Sequence, residues 1–276
     1  MTRSITTTVP LGDGVAIPQL GFGVFQIAPG VEVEAAVGTA LEVGYRHIDT
    51  AAIYGNEEGV GRAVAASGLD RSEIFVTTKV WNSDQGYAST LAALDASLER
   101  LDMEYVDLYL VHWPKPEHTA ATWRAMEELH AAGKARAIGV SNFLVHHLER
   151  LAAVASIPPA IDQIEFHPHL QSPELVAYCA ERGIVVEAWS PLKRGAIVDD
   201  PDLAPIAAAH GVTVPQVVLR WMLQRGVVAI PRSVTPSRIA ENADLYGFAL
   251  SEAEMAAIDG MDRDERIGPH PDHIDF

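Results

Sequence analysis

Asp49, Tyr54, Lys79 and His112 are residue types that together can move a proton, and each lies at or just past the end of an apolar run. Asp49 closes Arg46–Asp49, Lys79 closes Ile74–Lys79, His112 closes Val106–His112, and Tyr54 follows Asp49 in the next loop. A tyrosine ionises near pH ~10, so as an acid at neutral pH it needs help. An ammonium beside the phenol stabilises the phenolate and lowers that pKa, and an aspartate keeps the ammonium charged and oriented. Each unit corresponds to about 1.4 kcal/mol, which one close ion in a low-dielectric pocket can supply. A neutral His112 can hydrogen-bond a carbonyl and fix its approach. The set suits protonation of a carbonyl oxygen while a hydride arrives at carbon. Singly, each residue reads as a solvated rim group or a satisfied core group; their joint placement on three consecutive runs is what points to a site.

Those runs belong to a series: Leu20–Val24, Arg46–Asp49, Ile74–Lys79, Val106–His112, Ala137–Ser141, Ile161–Glu165, Val185–Ser190 and Val227–Pro231. Helical spacing separates them, as in Tyr87–Leu101, with Leu91, Leu94, Leu98 and Leu101 on one face, and Thr119–Ala132, closed by Gly133. Short buried strands alternating with helices predict an α/β fold with a parallel sheet. Eight such units in 276 residues, with no Pro/Gly/Ser-rich linker, fit one domain over residues 1–276, a closed (β/α)8 TIM barrel. An open doubly wound sheet would carry a G-x-G-x-x-G turn after its first strand. Gly21 and Gly23 lack the third glycine, Gly59 and Gly61 fall in a helical stretch, and no P-loop is present. Thr6–Val9 and Val15–Ile17 flank Gly12-Asp13-Gly14, the pattern of an N-terminal β-hairpin, read here as a plug across the barrel's bottom. Ser251 and Glu254 predict a capping box opening an extra C-terminal helix over Ser251–Gly260, followed by an extended tail over Asp262–Phe276.

Barrel active sites form at the C-terminal strand ends. Beyond the first set, those ends offer Ser141, Asn142, Gln163, Trp189, Ser190, Arg232 and Ser233. No Asp or Glu occurs from Leu203 to Ala240, although the chain has 37 acids to 20 Lys and Arg and a net charge of −17. Arg232, Ser233 and Arg238, near a helix opening at Pro236, therefore resemble a phosphate site, whereas Arg220 and Arg225 read as helix surface. His167-Pro168-His169, with His112, is a possible zinc set, but Lys79 opposes a cation and no metal is expected. The acidic balance argues against nucleic acid and anionic lipid. No membrane span and no signal peptide are read, and a single cysteine, Cys179, suggests a reducing, cytoplasmic setting.

The motifs are recognisable. Gly44-Tyr45-Arg46-His47-Ile48-Asp49-Thr50-Ala51 with Tyr54-Gly55-Asn56-Glu57, Gly139-Val140-Ser141-Asn142-Phe143, and Ile230-Pro231-Arg232-Ser233-Val234-Thr235 continuing to Arg238, Glu241 and Asn242 resemble the three signatures of the aldo-keto reductases. Leu108-Tyr109-Leu110-Val111-His112-Trp113-Pro114 is similar to the family's fourth strand, and the resemblance runs from about Val9 to Asp262. It implies that Tyr54 is the general acid, tuned by Lys79 and Asp49, with His112 orienting the carbonyl. It implies NADPH as cofactor: Ser141, Asn142 and Gln163 on the carboxamide, Trp189 stacked on the nicotinamide, and Ser190 and Leu192 just beyond. Arg232, Ser233, Val234 and Arg238 would grip the 2′-phosphate, and Glu241 and Asn242 the adenine. Many relatives have Tyr or Phe where Trp189 stands, and Lys where Arg232 stands; arginine keeps the charge and offers phosphate a fork. Trp189, the short connection Lys115–Thr119 and the brief tail resemble the bacterial 2,5-diketo-D-gluconate reductases. Phe22, Ile53, Trp81 and Trp113 sit where substrate walls are expected, and bulky apolar walls imply broad specificity. The implied activity is NADPH-dependent reduction of small aldehydes, α-dicarbonyls or keto-sugar acids by a monomer; a nicotinamide-binding regulatory or structural protein on the same barrel is the alternative.

Overall fold

The computed structural model describes residues 4–12 and 14–274. Thr8–Gly12 (β1) and Val15–Pro18 (β2) pair antiparallel, with Gly12 and Gly14 both at positive φ around the turn, while Asp13 lies outside the described residues. The first hairpin strand thus begins later than Thr6–Val9, because Thr8 is the residue that partners Pro18.

Eight parallel strands follow, each covered by helix: Phe22–Gly23 (β3), Val31–Val43 (α1), His47–Asp49 (β4), Glu57–Ala66 (α2), Phe75–Val80 (β5), Tyr87–Leu101 (α3), Val106–Val111 (β6) and Thr119–Ala131 (α4). The series continues with Ala135–Ser141 (β7), Val145–Ala152 (α5), Ile161–Glu165 (β8), Pro173–Glu181 (α6), Val185–Trp189 (β9), Ala204–His210 (α7), Val214–Gln224 (α8), Val228–Ala229 (β10) and Pro236–Ala243 (α9). Glu252–Asp259 (α10) opens with the Ser251–Glu254 capping box that the sequence predicts. Each strand from β3 to β10 pairs with its neighbours in chain order. The sheet curls, and its two ends are linked by an isolated bridge between Leu20 and Ala229: Ala229 N donates to Gln19 O, and Gly21 N donates to Ala229 O. Among the described residues no helix is long and apolar enough to cross a membrane.

The pleat sorts side chains between two apolar clusters. Val76, Val80, Tyr109, Val111, Ile138, Val140, Ile164, Val186 and Ala188 pack outward among the helices. Phe75, Leu108, Leu110, Ala137, Ile161 and Val228 face inward and pack with Leu11, Val15 and Ile17 of the hairpin. Because side chains alternate along a strand, the inward set continues through Asp49, Lys79, His112, Ser141, Gln163 and Trp189. Packing thus places these polar residues at one end of the curled sheet. The helical layer is close as well: a Cβ on Gly61 of α2 would lie 2.2 Å from the Leu101 carbonyl of α3, so only glycine permits that approach.

The tail departs from a simple extended segment. Arg263 N and Glu265 N donate to His169 O, Ile267 N and Gly268 N donate to the buried Glu165 carboxylate, and Pro271–His273 forms a short 3₁₀ turn. Its last two residues lie outside the described set. Arg220 and Arg225 are also more than helix surface. Arg220, buried in α8, donates to Gln224 and Leu245 O, and Arg225 pairs with Asp259 of α10.

Candidate active site

Lys79 is fully buried and donates to both oxygens of Asp49, at 2.7 and 2.8 Å, and to Thr50 O at 2.9 Å. Tyr54 ends a 3₁₀ turn over Ala52–Tyr54, which returns the chain above β4 with Gly55 in the left-handed region. The Lys79 Nζ lies 5.1 Å from the Tyr54 ring centroid, and the Tyr54 and His112 rings meet edge to face at 5.7 Å. Trp81 packs on His112 and Phe25 on Tyr54, each 5.0 Å between centroids. The structure therefore brings Asp49, Tyr54, Lys79 and His112 into one cluster.

Its electrostatics correct one expectation. Burial pushes the Tyr54 phenol up, and although Lys79 pulls it down as anticipated, burial is the larger effect and the pKa ends above its ordinary value. Burial alone would lower the Lys79 pKa, but Asp49, Tyr54 and Glu187 outweigh it, and the ammonium is held charged. His112 is driven well below its ordinary range by burial and then by Lys79, so the imidazole is neutral, and its Nδ1 is buried with no hydrogen-bond partner among the described residues.

Above this cluster lies a cavity of about 1010 Å³, at the upper end of the range for small-ligand sites. Ser141, Asn142, Gln163, Trp189, Ser190 and Leu192 line one wall. Ser141 Oγ donates to Gln163 O, Asn142 Nδ2 to His112 O, and the Trp189 indole N–H to Asn142 Oδ1 at 2.8 Å. Arg232, Ser233, Val234, Arg238, Glu241 and Asn242 line another part. Arg232 also donates to Gln26 O across the mouth, and Glu241 accepts from Thr213. Two exposed guanidiniums beside the first turn of α9, whose Thr235 cap gives no side-chain bond, form a donor set suited to a phosphate dianion.

Of the four anticipated substrate walls, Ile53, Trp81 and Trp113 line the cavity and Phe22 does not. Phe22 is buried in the outer cluster against Tyr45, with ring centroids 5.8 Å apart. The pleat explains the correction: Leu20, Phe22 and Val24 point outward, so Gly21 and Gly23 face in, where a Cβ on Gly21 would lie 2.3 Å from His47 Nδ1. Phe25, in the following loop, takes the wall position instead. Two histidines of the zinc alternative, His167 and His169, have other partners. His167 Nε2 lies 3.0 Å from Glu165, and His169 lies 3.1 Å from Asp200 and 2.9 Å from the Lys193 ammonium. A second histidine group, His146 and His147 about Asp272, pins the tail. There His147 Nδ1 accepts from Leu144 N–H, so a neutral His147 carries its hydrogen on Nε2, toward the carboxylate rather than a metal.

Two features went unread in the sequence. The tail reaches the cavity at Pro269, and Gly268 lies flat on Trp189, where a Cβ would come within 2.4 Å of the indole. Glu187 lies in the middle of β9, fully buried, and accepts from Gln163 Nε2 at 2.8 Å, the nitrogen that also donates to Asp49 Oδ2 at 2.8 Å. An acid inside the apolar run Val185–Trp189 was the signal available for it.

Residues 19–263 match the aldo/keto reductase family. The chain is 53% identical to the glyoxal reductase of Bacillus subtilis, over 100% of both proteins. It is 47% identical to the methylglyoxal reductase DkgA of Escherichia coli, over 97% of this chain and 98% of that one. Among solved structures, an aldo/keto reductase from Brucella melitensis superposes with a TM-score of 0.90 at 50% identity, covering 93% of this chain and 100% of that one. A Gox0644 variant crystallised in complex with NADPH gives a TM-score of 0.93 at 43% identity, covering 98% and 99%.

Proposed function

The chain belongs to the aldo/keto reductase family, and from that premise we propose that it reduces small carbonyl compounds with NADPH, Tyr54 being the general acid. The substrates we assign are aldehydes and α-dicarbonyls, with keto-sugar acids such as 2,5-diketo-D-gluconate as the finer possibility. The names of the two reductases above support the α-dicarbonyl class, and the apolar wall of Ile53, Trp81 and Trp113 supports breadth rather than one tightly fitted substrate. The observation that carries the reading is the partly buried Tyr54 phenol beside the fully buried Lys79–Asp49 pair and the neutral His112, at the floor of the cavity.

When bound, reduced NADPH supplies the hydride that adds to the carbonyl carbon. Tyr54 gives its hydroxyl proton to the carbonyl oxygen, and the phenolate left behind is stabilised by the Lys79 ammonium, which Asp49 and Thr50 O hold in place. His112, uncharged, can donate one hydrogen bond to the carbonyl without competing as an acid. Ser141, Asn142 and Gln163 would hold the carboxamide, with Trp189 braced against Asn142 as the stacking surface. Ser190 and Leu192 would flank the cofactor, Arg232, Ser233, Val234 and Arg238 would take the 2′-phosphate, and Glu241 and Asn242 the adenine. The same reading takes the curled sheet as a closed (β/α)8 barrel in one domain, plugged at its N-terminal end by the hairpin. The Leu20–Ala229 bridge and the packing of Leu11, Val15 and Ile17 on the inward side chains support it. We assign a monomer in the cytoplasm, on the family resemblance and the single buried cysteine.

The test is Tyr54→Phe, followed by loss of NADPH absorbance with methylglyoxal and by NADPH binding through quenching of tryptophan fluorescence. We expect turnover to be lost and the Kd for NADPH to stay within about twofold, since the phenol supplies a proton rather than a binding contact. Full turnover in that variant removes Tyr54 from the mechanism.

A further inference from the structure

Among the described residues, the Lys79 ammonium has one carboxylate in direct contact, Asp49. A second carboxyl group, Glu187, shares the same sealed interior without a cation of its own. Its Oε2 accepts from Gln163, while Oε1 is buried with no hydrogen-bond partner among the described residues and faces His47 Nε2 at 3.7 Å. That histidine cannot serve as counter-ion, because burial and then Lys79 push its pKa down to about 3. One neutral amide hydrogen bond does not offset the cost of a buried carboxylate.

We propose that Glu187 is a positioning residue that holds a proton beneath the Asp49–Lys79 pair and, on losing it, makes Tyr54 a weaker acid. The inference rests on the carbonyl-reductase reading above. The link is Gln163: both of its amide hydrogens are committed, one to Asp49 and one to Glu187, so the two carboxyl groups meet at a single nitrogen. The groups facing this interior are His47 and Asp49 from β4, Thr77 and Lys79 from β5, Gln163 from β8 and Tyr54 from the loop above. When Glu187 ionises, a second negative charge appears beside one ammonium, and it raises the proton affinity of both Lys79 and Tyr54. Burial, and then Asp49, push the Glu187 carboxyl up to about 8, so the change falls just above neutrality. His47 is already neutral there and Lys79 still charged.

The experiment follows methylglyoxal reduction from pH 6 to 10 in wild type, Glu187→Gln and Glu187→Leu, together with infrared spectra of the cofactor-free proteins. In wild type, kcat/KM is expected to fall about three- to tenfold through pH about 8, the effect of one added buried charge on proton transfer. Glu187→Gln keeps an acceptor for Gln163 and cannot ionise. It should match wild type within about twofold at pH 6.5 and show no such fall. Glu187→Leu leaves the Gln163 hydrogen unmatched and should be slower at every pH. The infrared arm needs no turnover: a carboxylic-acid carbonyl band should fade through the same pH range and be missing from Glu187→Gln. Asp162 is a second fully buried carboxyl group, raised by burial, so the spectra are repeated in Asp162→Asn, where the titrating band of Glu187 should persist. The band seen in a protein that reduces no carbonyl would sink the reductase reading and leave the buried proton standing. An unchanged alkaline fall in Glu187→Gln, or no titrating band in Asp162→Asn, overturns the proposal.

Discussion

Replacing Lys79 by Met separates what the buried ammonium does for the fold from what it does for the reaction. Lys79 is fully buried, Asp49 is 2% exposed, and the pair meets at 2.7 and 2.8 Å. Methionine of similar length fills the space but leaves Asp49 a buried anion with Gln163 Nε2 as its remaining side-chain donor. Stranding one partner of a buried pair costs about 3–5 kcal/mol. In a chain of 276 residues that lowers the melting temperature by about 5–10 °C. Adding Asp49→Asn removes the stranded charge while keeping an acceptor for Gln163, and most of the loss should return, because a neutral replacement of a buried pair is often harmless. Turnover should not return. With no ammonium beside the phenol, nothing offsets the burial that raises the Tyr54 pKa, and methylglyoxal reduction should stay down by about 10²–10⁴ in both variants. Thermal melts and steady-state rates on three proteins measure this. A double variant that recovers turnover along with stability would refute the reasoning, since the ammonium would then matter only to the fold.

Two further outcomes follow from the cavity walls. Arg238→Ala should raise the Kd for NADPH about 10- to 100-fold while leaving NADH within about twofold, because a charge-assisted contact to the 2′-phosphate is present in one cofactor only; equal losses in paired fluorescence titrations would show that Arg238 does not read that phosphate. Gly268→Ala puts a methyl group 2.4 Å from the Trp189 indole and 3.0 Å from Glu165, so overpacking of about 1–3 kcal/mol should displace the ring, lower the melting temperature and weaken NADPH; unchanged tryptophan emission and Kd would mean that the tail yields instead.

The strands were legible because parallel strands buried on both faces read as unbroken apolar runs. Val106–Val111 and Ile161–Glu165 begin where the runs begin, and α3 occupies Tyr87–Leu101 as its leucine spacing predicts. The same continuity hid which face is which. With apolar residues on both sides of β3, nothing local told that Phe22 points to the helices and Gly23 to the cavity; only the crowding of His47 against Gly21 settles it, and that contact spans distant parts of the chain. The hairpin slipped for a related reason: its glycines locate a turn, but partner residues fix the register, here Thr8 on Pro18.

The site divides along the same line. Asp49, Lys79 and His112 could be found because each polar residue ends an apolar run, and a run's end is visible in one dimension. Glu187 ends nothing. It lies inside Val185–Trp189, where the run's own logic calls for an apolar residue, and that is the argument for its having a task. Evolution can place Leu or Thr at an inward strand position at little cost, whereas an unpaired carboxyl group there opposes folding at every pH at which the unfolded chain would ionise it. Its folded pKa lies above its ordinary value, so the penalty is absent in acid and grows as pH rises toward 8. What it touches is Gln163, and through Gln163 the aspartate that steadies Lys79.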